Sequence, residues 1–439
     1  MLFQHSVSHI FSTAHASLNT RRLSYYQAME SFTTRPVSNL LYDQESLKSY
    51  CAGGFHPVCL GDKFRDGRYE VVHKLGWGGF STVWLARDAR YEKWVALKIC
   101  KASSTTAEGE LSTLQSLREN HLSTFVVNLY DNFIHDGPNG SHVCIVTELL
   151  GPSLSAIVDD YHLGGDRLEP EEILRLDSLM EVTTLLNASE RQLTRRVADM
   201  SGANIVFTTS NMAYLSRDDL FDIVGEPETA ELLTADGSLP NLQLPKQLIR
   251  KIGWDNWTDE MEEDIRLVDL GESFQFESAP SALAQPSALR APETFFSSKF
   301  DHRVDLWRVG CIVIIYSMIF ASYPFQYLGD DDILIAQMIG FVENLPSEWE
   351  EEWHQMSKTL GRRSPIGESK ATCLVHMFRS CKYSFKTAES ATQSKLVERF
   401  AHLVHETDLA RLLPIIQGLM KFRPAERISA DDALKLLQC

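Results

Sequence analysis

The sequence predicts an α+β protein of two lobes: a small β-rich lobe over residues 50–150 and a larger helical lobe over residues 151–439. Three observations carry this expectation. From Tyr69 to Cys100 the stretch "YEVVHKLGWGGFSTVWLARDARYEKWVALKIC" alternates apolar and polar residues in strand fashion, broken by a glycine turn and by a polar turn from Asp88 to Lys93. After Gly151 apolar residues recur instead at three- and four-residue spacing, the period of a helix packed along one face. Residues 209–262 are acidic and turn-rich with no strong period, and are expected to form a spacer inserted in the larger lobe.

Each element follows from its own pattern. Residues 1–49 read as a disordered or targeting leader. Residues 1–35 are rich in Ser and His, carry Arg21, Arg22 and Arg35 and hold one acid, Glu30, a composition similar to a mitochondrial transit segment. Three strands fill residues 69–100. Leu111, Leu114 and Leu117 in "AEGELSTLQSLREN" give a helix. Strands are expected near Thr124 to Tyr130 and at His142 to Glu148, then helices at Leu154 to Tyr161 and Pro170 to Leu186. Short strands are expected at Ile205 to Phe207 and around Ile265 and Leu267, with helices from Arg290 onward.

Composition narrows the function classes. With 439 residues, 44% hydrophobic and 23% charged, the chain can bury a sizeable core. A net charge of -17 opposes nonspecific binding to nucleic acid or anionic membrane and favours basic partners. The 8 cysteines show no CxxC spacing, which suits free thiols in a reducing compartment. The longest apolar run, "GCIVIIYSMIFASYPF" from Gly310, is too short for a membrane span and reads as a buried helix.

Several motifs carry chemistry. Gly76-Trp77-Gly78-Gly79-Phe80-Ser81-Thr82-Val83 lies between two strands, and its glycines let backbone amides approach phosphate oxygens, although ordinary hairpins use the same pattern. It is not a Walker A loop, which needs Gly-Lys-Ser/Thr opening a helix. Lys98 faces inward in the apolar strand "VALKIC" and needs a partner to stay charged; Glu110 on the next helix is the natural one. Asp199 and Asn204 stand five apart in "DMSGAN", and "RLVDLGESF" supplies Asp269-Leu270-Gly271 after a short apolar strand. Farther on come Ala291-Pro292-Glu293, Asp305 with Trp307 and Gly310, and Arg427.

In this order the motifs resemble a protein kinase over roughly residues 65–435. More narrowly, "GGFHPVCLGDKFRDGRYEVVHKLGWGGFSTVWLARD" is similar to the SR-protein kinases, the serine/arginine-rich protein kinase family, of which the chain is identified as a divergent, fungal-like member. The spacer ahead of Asp-Leu-Gly fits that family, though it is short for it. The resemblance implies a bilobal kinase fold using ATP and Mg²⁺. ATP would be bound by Leu75, Gly76, Gly78, Ser81, Val83, Ala96, Lys98, the gatekeeper Thr147, Glu148 and Leu150. It further implies that Lys98 and Glu110 set the α- and β-phosphates and that Asn204 and Asp269 hold Mg²⁺. Asp199 would orient the substrate hydroxyl. Glu293 and Arg427 would form a structural ion pair, and Asp305 would brace the catalytic loop. Substrates would be serines in Arg/Ser-rich proteins such as splicing factors, docked by acids including Asp330, Asp331 and Asp332, for which a solvated acidic surface is the other reading. A monomer in cytoplasm and nucleus is expected, with the mitochondrion second.

The chain departs from the pattern at three places. Val197 and Ala198 replace the His-Arg that precedes the catalytic aspartate, and Ser201 replaces the lysine that neutralises the γ-phosphate. Losing that cation is expected to slow transfer by about 10²-fold, on the scale of other lost electrostatic donors. The run from Thr194 to Arg196 is polar where an apolar helix end is expected, which a splice form or gene-model error over residues 177–197 would also produce. Two further readings therefore stand: a catalytically impaired pseudokinase or scaffold that binds basic peptides, and a small-molecule phosphotransferase. The latter shares the Asp-x4-Asn spacing but usually lacks Ala-Pro-Glu and the late arginine.

Overall fold

The strand alternation over residues 69–100 becomes three long antiparallel strands, β3 (Tyr69–Trp77), β4 (Ser81–Asp88) and β5 (Lys93–Cys100). The computed structural model describes residues 31–119, 125–164, 195–196, 200–209, 212–257, 264–272, 274–275, 287–297, 300–317, 324–325, 327, 329–362, 394–405 and 407–438. Its contacts divide the chain into two units. One comprises residues 1–115, 127–151 and 208–263, the other residues 116–126, 152–207 and 264–439.

In the first unit a six-stranded sheet runs in the order β2-β3-β4-β5-β7-β6, with β2 at Lys63–Phe64, β6 at Leu129–Gly137 and β7 at Gly140–Glu148. Helix α1 (Ala107–Glu119) follows β5. The register sorts the side chains, because residues directly opposite one another share a face and residues two apart in a strand do too. Trp84 pairs with Leu97 and Leu97 with Val146, so this row, with Ala86, Val95, Ile99 and Cys144, forms one buried face. Val58 and Phe64 from the segment before β3 cover it, as does Ile249 from the insertion. On the other face Leu85 and Trp94 join Val72 and Leu149, and the insertion supplies Met212, Leu220, Phe221, Val224 and Ile252 against them.

The structure differs from the sequence expectation at three places in this unit. Residues 208–263 cluster here rather than with the residues after 264, because their apolar side chains close both faces of the sheet. Residues 31–49 are ordered structure instead of leader. Strand β1 (Phe32–Arg35) pairs antiparallel with insertion strand Thr229–Thr234, which pairs in turn with Gln247–Ile249. Leu40, Leu41, Leu232 and Leu248 form the core between these segments. Strand β6 begins at Leu129, later than expected, and extends through the polar run to Gly137. It is an edge strand, with Ile134 facing solvent, so it lacks the alternation of a half-buried one.

Four histidines are held neutral in this unit. His56 packs edge-on against His135 and His142, with ring centroids 4.6 and 5.1 Å away. Burial, then these two neighbours, push His56 down to about 3, and burial pushes His73 down to about 4. His135 and His142 are lowered as well, chiefly by burial. The unfolded chain, with histidines near their ordinary value of about 6.5, therefore binds more protons than the folded one below that pH. Stability should be complete above about pH 6.5 and fall on acidification, with His56 and His73 contributing up to about 1.4 kcal/mol per pH unit each between that pH and about 4. Denaturant midpoints at pH 7 and pH 5 check this: the midpoint should drop, and His56→Gln should make the drop shallower.

The second unit is mainly helical. Helix α2 (Leu154–Gly164) precedes a two-stranded ribbon of β8 (Ile205–Phe207) and β9 (Ile265–Leu267). After it come α3 (Glu293–Phe296), α4 (Arg303–Ser317), α5 (Asp331–Met338), α6 (Glu350–Arg362), α7 (Lys395–Leu403), α8 (Leu412–Leu419) and α9 (Ala430–Gln438). Helix α4, within the long apolar run, is buried at Val304, Leu306, Trp307, Val309, Cys311, Ile312 and Val313. A Cβ on Gly310 would sit 2.6 Å from Met420 Cγ and 3.2 Å from Leu419 Cβ, so glycine is what lets the end of α8 approach this closely. The expected helix over Pro170 to Leu186 lies outside the described residues. No helix among the described residues is long and apolar enough to cross a membrane.

Candidate active site

Within the first unit four of the expected nucleotide residues come together on the sheet. Val83 lies opposite Lys98 and Lys98 opposite Ile145, while Ala96 lies between Leu85 and Thr147. Val83, Ala96, Lys98 and Thr147 thus share one face of the sheet, and Gly76 stands opposite Val83 at its end. Lys98 Nζ reaches both oxygens of Glu110 in the first turn of α1, at 2.7 and 2.8 Å. The pair is largely buried, with side-chain exposures of 16% and 6%, so each charge depends on the other to offset its lost hydration. A carboxylate in the first turn of a helix also meets the positive end of the helix dipole.

The glycine turn is closed by the Gly78 amide donating to the Ser81 carbonyl at 2.9 Å. A Cβ on Gly76, Gly78 or Gly79 would meet nothing within 4 Å, so the protein's own packing does not demand glycine at these positions. Ser81 is buried, and Phe80 at the tip is exposed. Leu75 packs partly into the cluster that the sheet shares with the insertion. At the end of β7 the Thr147 hydroxyl donates to the Glu148 carbonyl at 3.2 Å. The Glu148 carboxylate accepts from the Asn128 backbone and side chain at 2.8 and 2.9 Å, and Leu150 is buried.

Within the second unit the ribbon brings together residues far apart in sequence. Ile205 lies opposite Leu267, and the Val268 amide donates to the Asn204 carbonyl at 2.9 Å. Asn204 and Asp269 therefore occupy the same end of the ribbon, and the insertion leaves and returns at the other end. Asp269 is exposed with φ +58, a left-handed conformation uncommon outside glycine. Ahead of the ribbon Met200 and Ser201 are buried, and the Ser201 carbonyl accepts the Asn204 amide at 3.0 Å. Gly202 accepts the Ser155 amide at 2.9 Å, and a Cβ there would lie 2.6 Å from Ser155 Oγ. Asp199, Val197 and Ala198 lie outside the described residues.

Arg427 makes a two-pronged pair with Glu293 at 2.7 and 2.6 Å and donates to the carbonyls of Arg303, Lys421 and Phe422. Asp305 accepts from the buried Arg308 at 3.3 Å. Of the acids proposed for docking, Asp331 accepts from Arg290 at 2.8 Å, while Asp330 and Asp332 are half-buried at the start of α5. Glu343 and the exposed Glu348 are engaged by Lys421 and Arg423, and Glu350, Glu351 and Glu352 in the first turn of α6 are exposed as well.

Sequence reasoning missed one feature beside the glycine turn. Lys74 on β3, 1% exposed, donates to Glu45 at 2.5 Å and to Gln44 at 2.7 Å. Its inward position in the strand was the available signal, but its partners lie in the segment read as leader.

No family model matches the chain. It is 43% identical over 132 residues to "Protein kinase dsk1" of Schizosaccharomyces pombe, covering 28% of this chain and 24% of that protein. It is 47% identical over 119 residues to "SRSF protein kinase 3" of Homo sapiens, covering 26% and 21%. These two matches span about a quarter or less of those relatives' own length. The match to "Serine/threonine-protein kinase SRPK" of Physarum polycephalum is weaker in identity, 27% over 417 residues, but covers 90% of both chains. Among solved structures the chain superimposes on a crystal structure of a kinase domain with a TM-score of 0.55 at 18% identity, covering 87% of this chain and 97% of that one. The fold is that of a protein kinase.

Proposed function

We propose that this chain, a divergent relative of the SR-protein kinases, is a serine/threonine kinase that transfers the γ-phosphoryl group of ATP to serines in Arg/Ser-rich proteins. The observation that carries the reading is the Lys98–Glu110 pair set in one row with Val83, Ala96 and Thr147. An apolar shelf ending in a held ammonium suits an adenine ring leading to its phosphates. Glycines that no packing demands, at Gly76, Gly78 and Gly79, leave room for a phosphate to approach the backbone.

Transfer requires the serine Oγ to bond to the γ-phosphorus as the bond to the β,γ-bridging oxygen breaks, with ADP leaving and the hydroxyl proton released. Lys98 holds the α- and β-phosphates, and Glu110 fixes the direction of the ammonium. Asp199 orients the serine hydroxyl and accepts its proton. Asn204 and Asp269 supply oxygen donors of the hard kind that Mg²⁺ takes alongside phosphate oxygens, and they lie at one end of the ribbon. Mg²⁺ bound there would neutralise phosphate charge.

Substrate choice rests on charge. A net charge of -17 and the exposed Glu350, Glu351 and Glu352 favour guanidinium-rich peptides. At Asp331 an incoming arginine would have to compete with Arg290. The proposal includes activity as a monomer in cytoplasm and nucleus. The second reading, a scaffold that binds basic peptides without turnover, draws on Ser201, a buried hydroxyl where a cation is expected.

Incubation with Mg²⁺-ATP and an Arg/Ser peptide, beside the same peptide with its arginines changed to glutamine, tests the proposal. The unsubstituted protein should phosphorylate the arginine form preferentially, and Asp199→Ala should remove that activity. Reversing the charge of Asp330, Asp331 and Asp332 should raise KM for the peptide. Equal use of both peptides would defeat the substrate assignment. Nucleotide binding without transfer would favour the scaffold.

A further inference from the structure

The strand that leads into the glycine turn, β3, is bonded to β2 only at its first residues, so most of its length is an open sheet edge. The insertion covers that edge at one point. Lys251 bridges in parallel to Lys74, and the Ile252 amide donates to the Lys74 carbonyl at 3.0 Å. Three residues farther along β3, inside the glycine turn, stands the half-buried Trp77. Two ammonium groups lie on its ring. Lys74 Nζ, fixed from the N-terminal segment by Glu45 and Gln44, is 4.9 Å from the ring centroid, and the exposed Lys251 of the insertion is 5.7 Å from it. Both distances fall within the range at which a cation is attracted to an indole face.

We infer that Trp77 is a positioning residue for the phosphate-covering turn, held by Lys74 through Glu45 of the N-terminal segment and by Lys251 of the insertion. The role in nucleotide binding rests on the kinase reading; the restraint on the turn does not. Because glycines give the turn no side-chain packing of its own at Gly76, Gly78 and Gly79, the tryptophan is the handle by which two distant segments set its position. A partner that drew the insertion away from β3 would loosen the turn without touching the residues that meet ATP.

The test is amide hydrogen exchange across residues 74–83 in the full chain without nucleotide, followed by calorimetric binding of Mg²⁺-ATP. Lys251→Met alters an exposed residue and leaves the cores intact. It should speed exchange in the turn about two- to fivefold, the range for a partly exposed cation over an indole, with no change in the strands β5 and β7. Lys251→Arg, which keeps a cation able to stack on the ring, should restore the slow rate. In a Trp77→Leu background, Lys251→Met should add nothing. Unchanged exchange in Lys251→Met, or an equal effect with and without Trp77, would overturn the inference. If the turn responds as expected and the Kd for Mg²⁺-ATP rises by the same factor, both readings stand. If the turn responds but the unsubstituted protein binds no nucleotide, the kinase reading fails and the restraint remains.

Discussion

Replacing Lys98 with methionine is expected to lower phosphoryl transfer by about 10²-fold or more, the scale on which removing one preorganised electrostatic donor slows an enzyme. Methionine keeps the length and apolar stem of lysine, so Val83 and Ala96 on the same face keep their neighbour. What disappears is the ammonium 2.7 Å from Glu110. That leaves Glu110, 5% exposed, without its cation, so the single substitution should also lower the unfolding midpoint. Lys98→Met combined with Glu110→Gln separates the two effects. Removing the Glu110 charge should restore much of the midpoint while transfer stays low. Recovery of transfer in the double variant would show that Lys98 matters only for stability.

Breaking the Arg427–Glu293 pair should have the largest effect on stability, about 3–5 kcal/mol for loss of one partner from a buried ion pair. Both side chains are almost fully enclosed, at 0% and 3% exposure. Arg427→Met removes more than the pair, because the carbonyls of Arg303, Lys421 and Phe422 lose their donor in the same step. It also withdraws the guanidinium from the face of Trp307, 5.4 Å away. Glu293→Leu together with Arg427→Met should cost less than Arg427→Met alone, since no unpaired carboxylate is left buried. Denaturant unfolding of the single and double variants measures this directly.

The sequence revealed the parts of this molecule whose physics is local. Alternation over residues 69–100 predicted β3 to β5, and the inward Lys98 with Glu110 twelve residues later predicted a pair that the structure brings within hydrogen-bonding distance. The short apolar runs at Ile205 and Ile265 predicted two strands, and their antiparallel register then puts Asn204 and Asp269 at one end. What stayed hidden depends on partners far away in the chain. Residues 32–35 look like leader because a four-residue strand has meaning only beside residues 229–234. Lys74 looks like an ordinary strand residue until Glu45 is seen beneath it. The insertion hid for a similar reason: "LFDIV" and "TAELLT" are too short to show a period, and their apolar residues pack against Leu85 and Trp94 in one case and Leu40 and Leu41 in the other, all far away in the chain. Polar β6 was misplaced because an edge strand need not alternate.

As a kinase of the proposed kind, this chain would transfer phosphate in spite of Val197, Ala198 and Ser201. Single-turnover transfer from γ-labelled Mg²⁺-ATP to an Arg/Ser peptide, with the product mapped by mass spectrometry, tests it most directly. Phosphoserine in the peptide is expected with the unsubstituted chain and about 10²-fold less with Lys98→Met. Tight nucleotide binding with no phosphoserine above the Lys98→Met level would contradict it.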